Sequence, residues 1–333
     1  MKKAACVCLV CFSLLLLCGC SEQKEQSITV FAMDTVMTMT VYGGDNKTLQ
    51  NLTQEVQRLE GLFSSEKTGS EISLLNQNGS AELSFDTCEL LRQSLEICRM
   101  TDGALDITVY PLTKAWGFIS GDYRVPDEEE IAQLMSLVGY DKAWLKDGAA
   151  WLKGGAEISL GSTAKGYTGA VLSKLLKDEG ISSAVLDLGG NIQTVGCRPD
   201  GGEWRVGVKS PDGGILGVLS IRDMAVVTSG GYERYFEQDG QTYWHILDPK
   251  TGYPADSGLE SVTIVGSDGT LCDGLSTAVF VMGRERAQEL WRQWGGFEML
   301  LLDSEGTIYI TEGLEGSFEP ESGLEVLVIK SEG

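Results

Sequence analysis

The chain has 333 residues, with 26 Lys and Arg against 48 Asp and Glu and a formal net charge of −22. That length suits one large domain or two modest ones. A chain this acidic does not hold nucleic acid or anionic headgroups by charge, so an anionic ligand must be met by local devices: a metal ion, a few Lys or Arg, and backbone amides.

The first stretch reads as an export signal. Lys2 and Lys3 form a positive n-region, and residues 4–17 are an apolar run too short to span a bilayer comfortably. The run leads into Leu17-Cys18-Gly19-Cys20, which resembles the lipobox of bacterial lipoproteins. That resemblance implies cleavage before Cys20, diacylation of its sulfur and anchoring at the extracytoplasmic face of the membrane. An ordinary signal peptide or an uncleaved anchor is the other reading. The boundaries that follow are a signal over 1–19, a polar tether over 20–27, one domain over 28–312 and an acidic, glycine-rich tail over 313–333. Outside the signal and Cys20 the cysteines are Cys88, Cys98, Cys197 and Cys272. Their spacing shows no paired metal motif, and they read as small buried residues, with a disulfide between distant members left open.

In chain order, strands are expected over 28–31 and 36–42, and an amphipathic helix over 47–61 with Leu49, Leu52, Val56 and Leu59 at helical spacing. A short helix from Ser70 and a longer one over 86–100 follow, then a loop over 101–120 rich in polar and aromatic side chains. Pro126 and the acids after it mark a helix start. Beyond Lys142 the pattern is mostly β: strands over 143–146, 149–153, 157–160, 183–188, 192–196, 204–209, 216–222, 225–228, 243–247 and 261–265. A helix over 163–179 interrupts them, and helices over 271–282 and 284–294 come next. A hairpin over 297–311 precedes the tail, where a last strand is expected over 324–329. The fold class is mixed α/β (α+β): a single large domain of mixed sheets flanked by helices.

Several short segments carry chemistry-bearing residues. Gly161-Ser162-Thr163-Ala164-Lys165-Gly166 joins a strand to a helix, where amides favour phosphate, yet Lys165 precedes Gly166 and the P-loop mechanism does not map. Taken alone, it reads as a turn. Leu188-Gly189-Gly190-Asn191 reads as a hairpin turn or as a place of close ligand approach. Thr228-Ser229-Gly230-Gly231 invites a serine-nucleophile reading, but the nucleophile elbow needs a Gly two before the Ser. The only histidine, His245, lies in Tyr243-Trp244-His245-Ile246-Leu247-Asp248-Pro249-Lys250-Thr251-Gly252-Tyr253-Pro254. It is a proton-transfer residue or an incidental one. Asp273 and Thr277, four apart on a helix, suit a hard cation such as Mg²⁺, or are a helix-start acid and a solvated hydroxyl.

In this order along the chain, Met33-Asp34-Thr35, Phe63-Ser64, Ser70-Glu71-Ile72-Ser73-Leu74-Leu75-Asn76, Asp106-Ile107-Thr108, Trp116-Gly117-Phe118, Ala164-Lys165-Gly166-Tyr167, Leu188-Gly189-Gly190-Asn191, Thr228-Ser229-Gly230, the His245 segment and Asp273-Gly274-Leu275-Ser276-Thr277-Ala278 resemble the ApbE family of FAD:protein FMN transferases. The resemblance implies that FAD binds with Mg²⁺ and its pyrophosphate is cleaved. The FMN half passes to a Thr or Ser hydroxyl of an acceptor flavoprotein subunit, and AMP leaves. It implies Asp273, Thr277 and the Ser162 backbone carbonyl as Mg²⁺ ligands and Lys165 beside the flavin nucleotide. Met33, Phe63, Ala104, Leu105, Asp106 and Ile246 match positions lining the FAD pocket. His245 and Arg234 are the candidates for proton transfer and phosphate-charge stabilisation, with Asp273 acting through the cation. The family usually has Asp-Leu-Gly-Gly where this chain has Ser159-Leu160-Gly161-Ser162. Ser159 therefore lacks the carboxylate of a usual FAD contact, which feeds one alternative, a FAD-binding or FAD-hydrolysing lipoprotein; the second alternative is a solute-binding lipoprotein without enzymatic activity.

Overall fold

The computed structural model describes residues 24–331, so the expected signal and Cys20 lie outside the described residues. A nine-stranded sheet runs in the order β1 (Glu25–Ala32), β2 (Thr35–Tyr42), β6 (Ser183–Asp187), β7 (Ile192–Gly196), β10 (Ala225–Gly230), β13 (Leu259–Gly266), β14 (Glu298–Asp303), β15 (Ile308–Thr311) and β17 (Val326–Ile329). Neighbours are antiparallel except β15 and β17, which are parallel.

The two-residue period of the strands sorts side chains to the two faces. Val227, Ile264, Met299 and Leu301 belong to the core on the helical side. Their neighbours Val226, Val265, Leu300 and Leu302 join a second core with the three-stranded sheet of β16 (Phe318–Pro320), β9 (Ile215–Ile221) and β8 (Trp204–Lys209). The helical layer holds α1 (Asn46–Phe63), α3 (Phe85–Met100), α6 (Ala164–Asp178) and α7 (Gly269–Trp294). Asp45 caps α1 by accepting from the Lys47 and Thr48 amides, and its Leu49, Leu52, Val56 and Leu59 are all buried. Gly283 leaves helical geometry within α7, at the break expected between two helices. Among the described residues, no helix is long and apolar enough to cross a membrane.

Several expectations shift. No strand forms over 157–160; Asn76 clamps Ile158 instead, Nδ2 donating to its carbonyl and Oδ1 accepting its N–H, each at 2.8 Å. The expected loop over 101–120 contains a 3-10 turn (Ile107–Val109) and the short helix α4 (Tyr110–Ala115) with Pro111 in its first turn. The strand expected over 243–247 is β12 (Gln241–Trp244), paired with β11 (Tyr235–Gln238), a strand the sequence pattern concealed. The edges of the domain move outward. β1 starts at Glu25, inside the expected tether, and β16 and β17 place Phe318 and Ile329 in the cores, inside the expected tail. All four described cysteines are free; Cys98 and Cys272 are buried, whereas Cys88 and Cys197 are only half-buried.

Candidate active site

The site forms where the first turns of α6 and α7 cross. A Cβ on Gly166 would stand 2.1 Å from the Gly269 carbonyl oxygen, so only glycine permits this approach. The crossing brings Asp273 against the start of α6, and its Oδ2 accepts the Gly166 N–H at 2.8 Å. That amide is one of the four a helix start leaves unsatisfied. Asp273 is not the helix-start residue. Asp268 caps α7, accepting from Leu271 N–H, and Asp273 stands a turn further in. Beneath it, Ser276 Oγ donates to the Asp273 carbonyl at 2.7 Å, and Ser229 Oγ pairs with Ser276 Oγ at 2.7 Å. Ser229 thus supports α7 and has no imidazole partner, which removes the serine-nucleophile reading.

Two turns brace this crossing. Met33 and Asp34, at φ 50° and 59°, form the tight turn between β1 and β2. Met33 N–H donates to Glu60 Oε1 at 2.8 Å, and Thr168 Oγ1 lies 3.8 Å from the Met33 sulfur on α6. The Gly189-Gly190 turn packs on Thr35 so closely that a Cβ on Gly189 would fall 2.1 Å from Thr35 Oγ1. The Leu188-Gly189-Gly190-Asn191 segment is therefore a turn packed closely on Thr35, and it carries buried Asn191.

His245 comes from the other side. Its backbone N–H donates to the Arg234 carbonyl at 3.0 Å, and its Nδ1 lies 3.2 Å from the same oxygen. A carbonyl only accepts, so Nδ1 carries the proton and Nε2 keeps its lone pair. Arg234 Nη1 donates to the Phe118 carbonyl at 3.1 Å, and the Phe118 ring meets the imidazole edge-on at 6.4 Å. Trp116, fully buried, donates from Nε1 to the Gly252 carbonyl at 2.9 Å. The Trp116-Gly117-Phe118 loop thus fixes the histidine segment in place and caps the core.

The titratable groups sense one another. Burial pushes the Asp273 carboxyl up; the Lys165 charge, the Asn191 amide and the Gly166 N–H pull it back down. Burial, reinforced by the Arg234 and Lys165 charges, pulls His245 down to about 4, so the imidazole is neutral at pH 7. Burial also raises Glu233, against the pull of Lys165. His245 is half-buried and Glu233 is exposed, so water tempers both shifts. Lys165, Arg234, His245, Glu233 and Asp273 therefore share one electrostatic neighbourhood. Glu233 is the residue sequence reasoning missed; an acid directly before Arg234 was its only signal.

The remaining expected residues fall into place unequally. Thr277 is half-buried one turn after Asp273, and among the described residues its hydroxyl makes no hydrogen bond. Ser162 lies just before Thr163, the N-cap of α6. Phe63, Ala104, Leu105 and Ile246 are buried in the core that carries the site. Phe63 meets Tyr167 edge-on at 5.6 Å. Asp106 ties its own turn to a distant one: Oδ1 accepts from Thr108 N–H at 2.8 Å and Oδ2 from Tyr140 N–H, 34 residues on, at 2.8 Å. Ser159 Oγ accepts Gly161 N–H at 3.2 Å, holding the turn that precedes α6. The donor set fits a hard cation. Among the described residues, no three His, Cys, Asp or Glu side chains cluster as a metal cage. One buried carboxylate, an unspent hydroxyl and nearby carbonyls leave room for waters and phosphate oxygens, the habit of Mg²⁺.

Fold and site together define an α/β protein in which a buried carboxylate suited to a cation, two basic side chains and a neutral histidine share one electrostatic neighbourhood. The chain belongs to the ApbE family, whose sequence model matches residues 33–301. It is 33% identical over 291 residues to a FAD:protein FMN transferase of Vibrio cholerae, covering 82% of this chain and 86% of that one. It is 30% identical over 325 residues to one of Treponema pallidum, covering 89% of each. The crystal structure of an ApbE protein from Thermotoga maritima superposes with a TM-score of 0.82 at 31% identity, over 89% of this chain and all of that one. The apo flavinyl transferase ApbE of Pseudomonas stutzeri gives 0.80 at 26% identity, over 89% of this chain and 98% of that one.

Proposed function

We propose that this protein is a FAD:protein FMN transferase that, with Mg²⁺, passes the FMN moiety of FAD to a Thr or Ser hydroxyl of an acceptor flavoprotein and releases AMP. What supports it is that Asp273, Lys165, Arg234 and a neutral His245 sense one another's charge in a chain whose relatives bear that name. Phosphoryl transfer asks mainly for positioning and charge stabilisation. Asp273, Thr277 and the Ser162 carbonyl would hold Mg²⁺, which supplies charge neutralisation on the pyrophosphate when bound. Lys165 and Arg234 add the remaining positive charge. His245 accepts the acceptor hydroxyl proton at Nε2, while the Arg234 carbonyl fixes its ring. The hydroxyl oxygen then bonds to the FMN phosphorus, the pyrophosphate P–O bond breaks, and AMP departs with the electron pair.

Ser159 favours a second reading, hydrolysis of FAD with water in place of the acceptor. Incubation with FAD, Mg²⁺ and an extracytoplasmic flavoprotein subunit, with intact-mass detection on that subunit, separates the two. Flavin mass on the subunit supports transfer; AMP and free FMN with an unmodified subunit overturn it. We also propose that Cys20 is diacylated and tethers the enzyme to the extracytoplasmic face of the membrane. The first strand begins only a few residues after it, at Glu25, which would keep the domain close to the bilayer.

A further inference from the structure

We propose that the outer edge of β11 is the docking strand for the acceptor protein, which adds an extended segment to the β11–β12 hairpin and so leads its Thr or Ser toward His245. The proposal rests on the transferase reading above.

The ladder decides which backbone groups are free. Tyr235 pairs with Trp244, Phe236 with Tyr243, Glu237 with Thr242 and Gln238 with Gln241, around an Asp239-Gly240 turn at φ 53° and 79°. One pair beyond Tyr235, His245 N–H donates to the Arg234 carbonyl at 3.0 Å. Antiparallel pairs alternate between bonded and unbonded. Arg234–His245 and Phe236–Tyr243 therefore hold the ladder bonds, while Tyr235 and Glu237 turn their N–H and C=O outward. Among the described residues β11 and β12 form a sheet of two strands, and these outward groups of β11 meet no partner. Beside β12 the chain supplies its own neighbour. Ala255 N–H donates to the Ile246 carbonyl at 2.9 Å, and the Trp244 indole donates to the Ala255 carbonyl at 2.9 Å. The β11 edge is the open one, and Tyr235 and Glu237 on it are exposed.

Aromatic packing holds this edge beside the histidine. Phe236 stacks on Tyr123 at 5.3 Å and on Tyr243 at 5.2 Å, and the Phe118 ring meets both Phe236 and His245. From Tyr235 the chain runs straight back into Arg234 and Glu233, beside the charges of Lys165 and Asp273. A strand laid along Glu237 and Tyr235 is thus aimed at the site, and main-chain bonds of this kind give affinity without demanding one side-chain sequence. A second copy of this chain is the wrong occupant. Residues 235–244 carry Glu237 and Asp239 but no Lys or Arg, on a chain of net charge −22, so self-pairing sets like charges together. The fitting occupant is the substrate protein, whose hydroxyl has to reach His245 Nε2.

The test uses the full chain with FAD, Mg²⁺ and the extracytoplasmic flavoprotein subunit of the mass assay. Glu237→Pro deletes one outward N–H and spares the hairpin's own ladder. It should raise KM for the subunit by about tenfold or more and leave KM for FAD unchanged. Thr242→Pro, the matching change on β12, should leave both at their wild-type values. Hydrogen–deuterium exchange carries the test where a proline variant does not fold: in wild type the Tyr235 and Glu237 amides should exchange freely alone and slow by about tenfold or more with the subunit bound. A folded Glu237→Pro protein with wild-type KM for the subunit, an equal rise with Thr242→Pro, or unchanged exchange over 235–238 overturns the proposal. A subunit that takes no flavin from wild type would instead overturn the transfer reading beneath it.

Discussion

The crossing of α6 and α7 is the most exposed point of this account, and Gly166→Ala probes it. The added methyl would lie 2.1 Å from the Gly269 carbonyl oxygen and 2.7 Å from Asp273 Cβ, so the helices must separate. Overpacking of this kind costs about 1–3 kcal/mol. Separation also loosens the Gly166 N–H bond to Asp273, where a bond to a charged group contributes about 1.5–3 kcal/mol. The helix propensity gained by replacing Gly offsets about 1 kcal/mol. The net loss is about 1.5–5 kcal/mol, which at about 2–4 °C per kcal/mol lowers Tm by several degrees or more. Half-saturating Mg²⁺ should rise in the same variant, because Asp273 moves. Gly61→Ala is the matched control: that glycine lies inside α1 with nothing within 4 Å of an added Cβ, so the same change should stabilise by about 0.5–1 kcal/mol. Thermal unfolding and Mg²⁺ titration of both variants check the pair. A Gly166→Ala protein with wild-type Tm and wild-type Mg²⁺ dependence would refute the tight crossing and its hold on Asp273.

Further outcomes follow from the site. With His245 drawn from 6.5 to about 4, kcat/KM should hold through pH 6.5 and fall only as pH drops toward 4; an acid limb at or above 6.5 contradicts a depressed imidazole. The stability linked to keeping His245 neutral is complete above pH 6.5 and is lost as pH falls toward 4, so wild type should lose stability relative to His245→Gln across that window in urea melts. His245→Gln should slow transfer by about 10²–10⁴-fold, and a rate within about threefold of wild type rules out essential proton transfer. Ser159→Asp should tighten FAD binding and raise the share of flavin reaching protein over that released as FMN, read by calorimetry and mass detection; unchanged values would show that the missing carboxylate does not matter here. Cys20→Ala should shift the protein from the membrane fraction to the soluble fraction on cell fractionation.

Much of the frame was legible because it rests on local pattern. Leu49, Leu52, Val56 and Leu59 mark one helix face, and β7 and β8 fall on the residues expected from alternation alone. The 157–160 segment misled because its partner is a single Asn76 side chain 82 residues away, which leaves no trace in periodicity. β11 was concealed because its run of Tyr235, Phe236, Glu237 and Gln238 lacks a buried face. At the site, Asp273, Lys165 and His245 were found through motif order, whereas their mutual charge coupling was not, since it depends on Gly166 meeting Gly269 across a long chain separation. The same distance hid Glu233. Asp106 was found through its motif, whereas the hold of its carboxylate on Thr108 and on Tyr140, 34 residues away, was not legible.

The central claim is transfer of FMN through a site that Asp273 organises. The most direct measurement is the ratio of AMP released to flavin covalently bound on the acceptor, with Mg²⁺, for wild type and Asp273→Ala. Wild type should give equal amounts of AMP and protein-bound flavin, and a folded Asp273→Ala protein should give neither product. AMP released without protein-bound flavin, or undiminished transfer by Asp273→Ala, would contradict it.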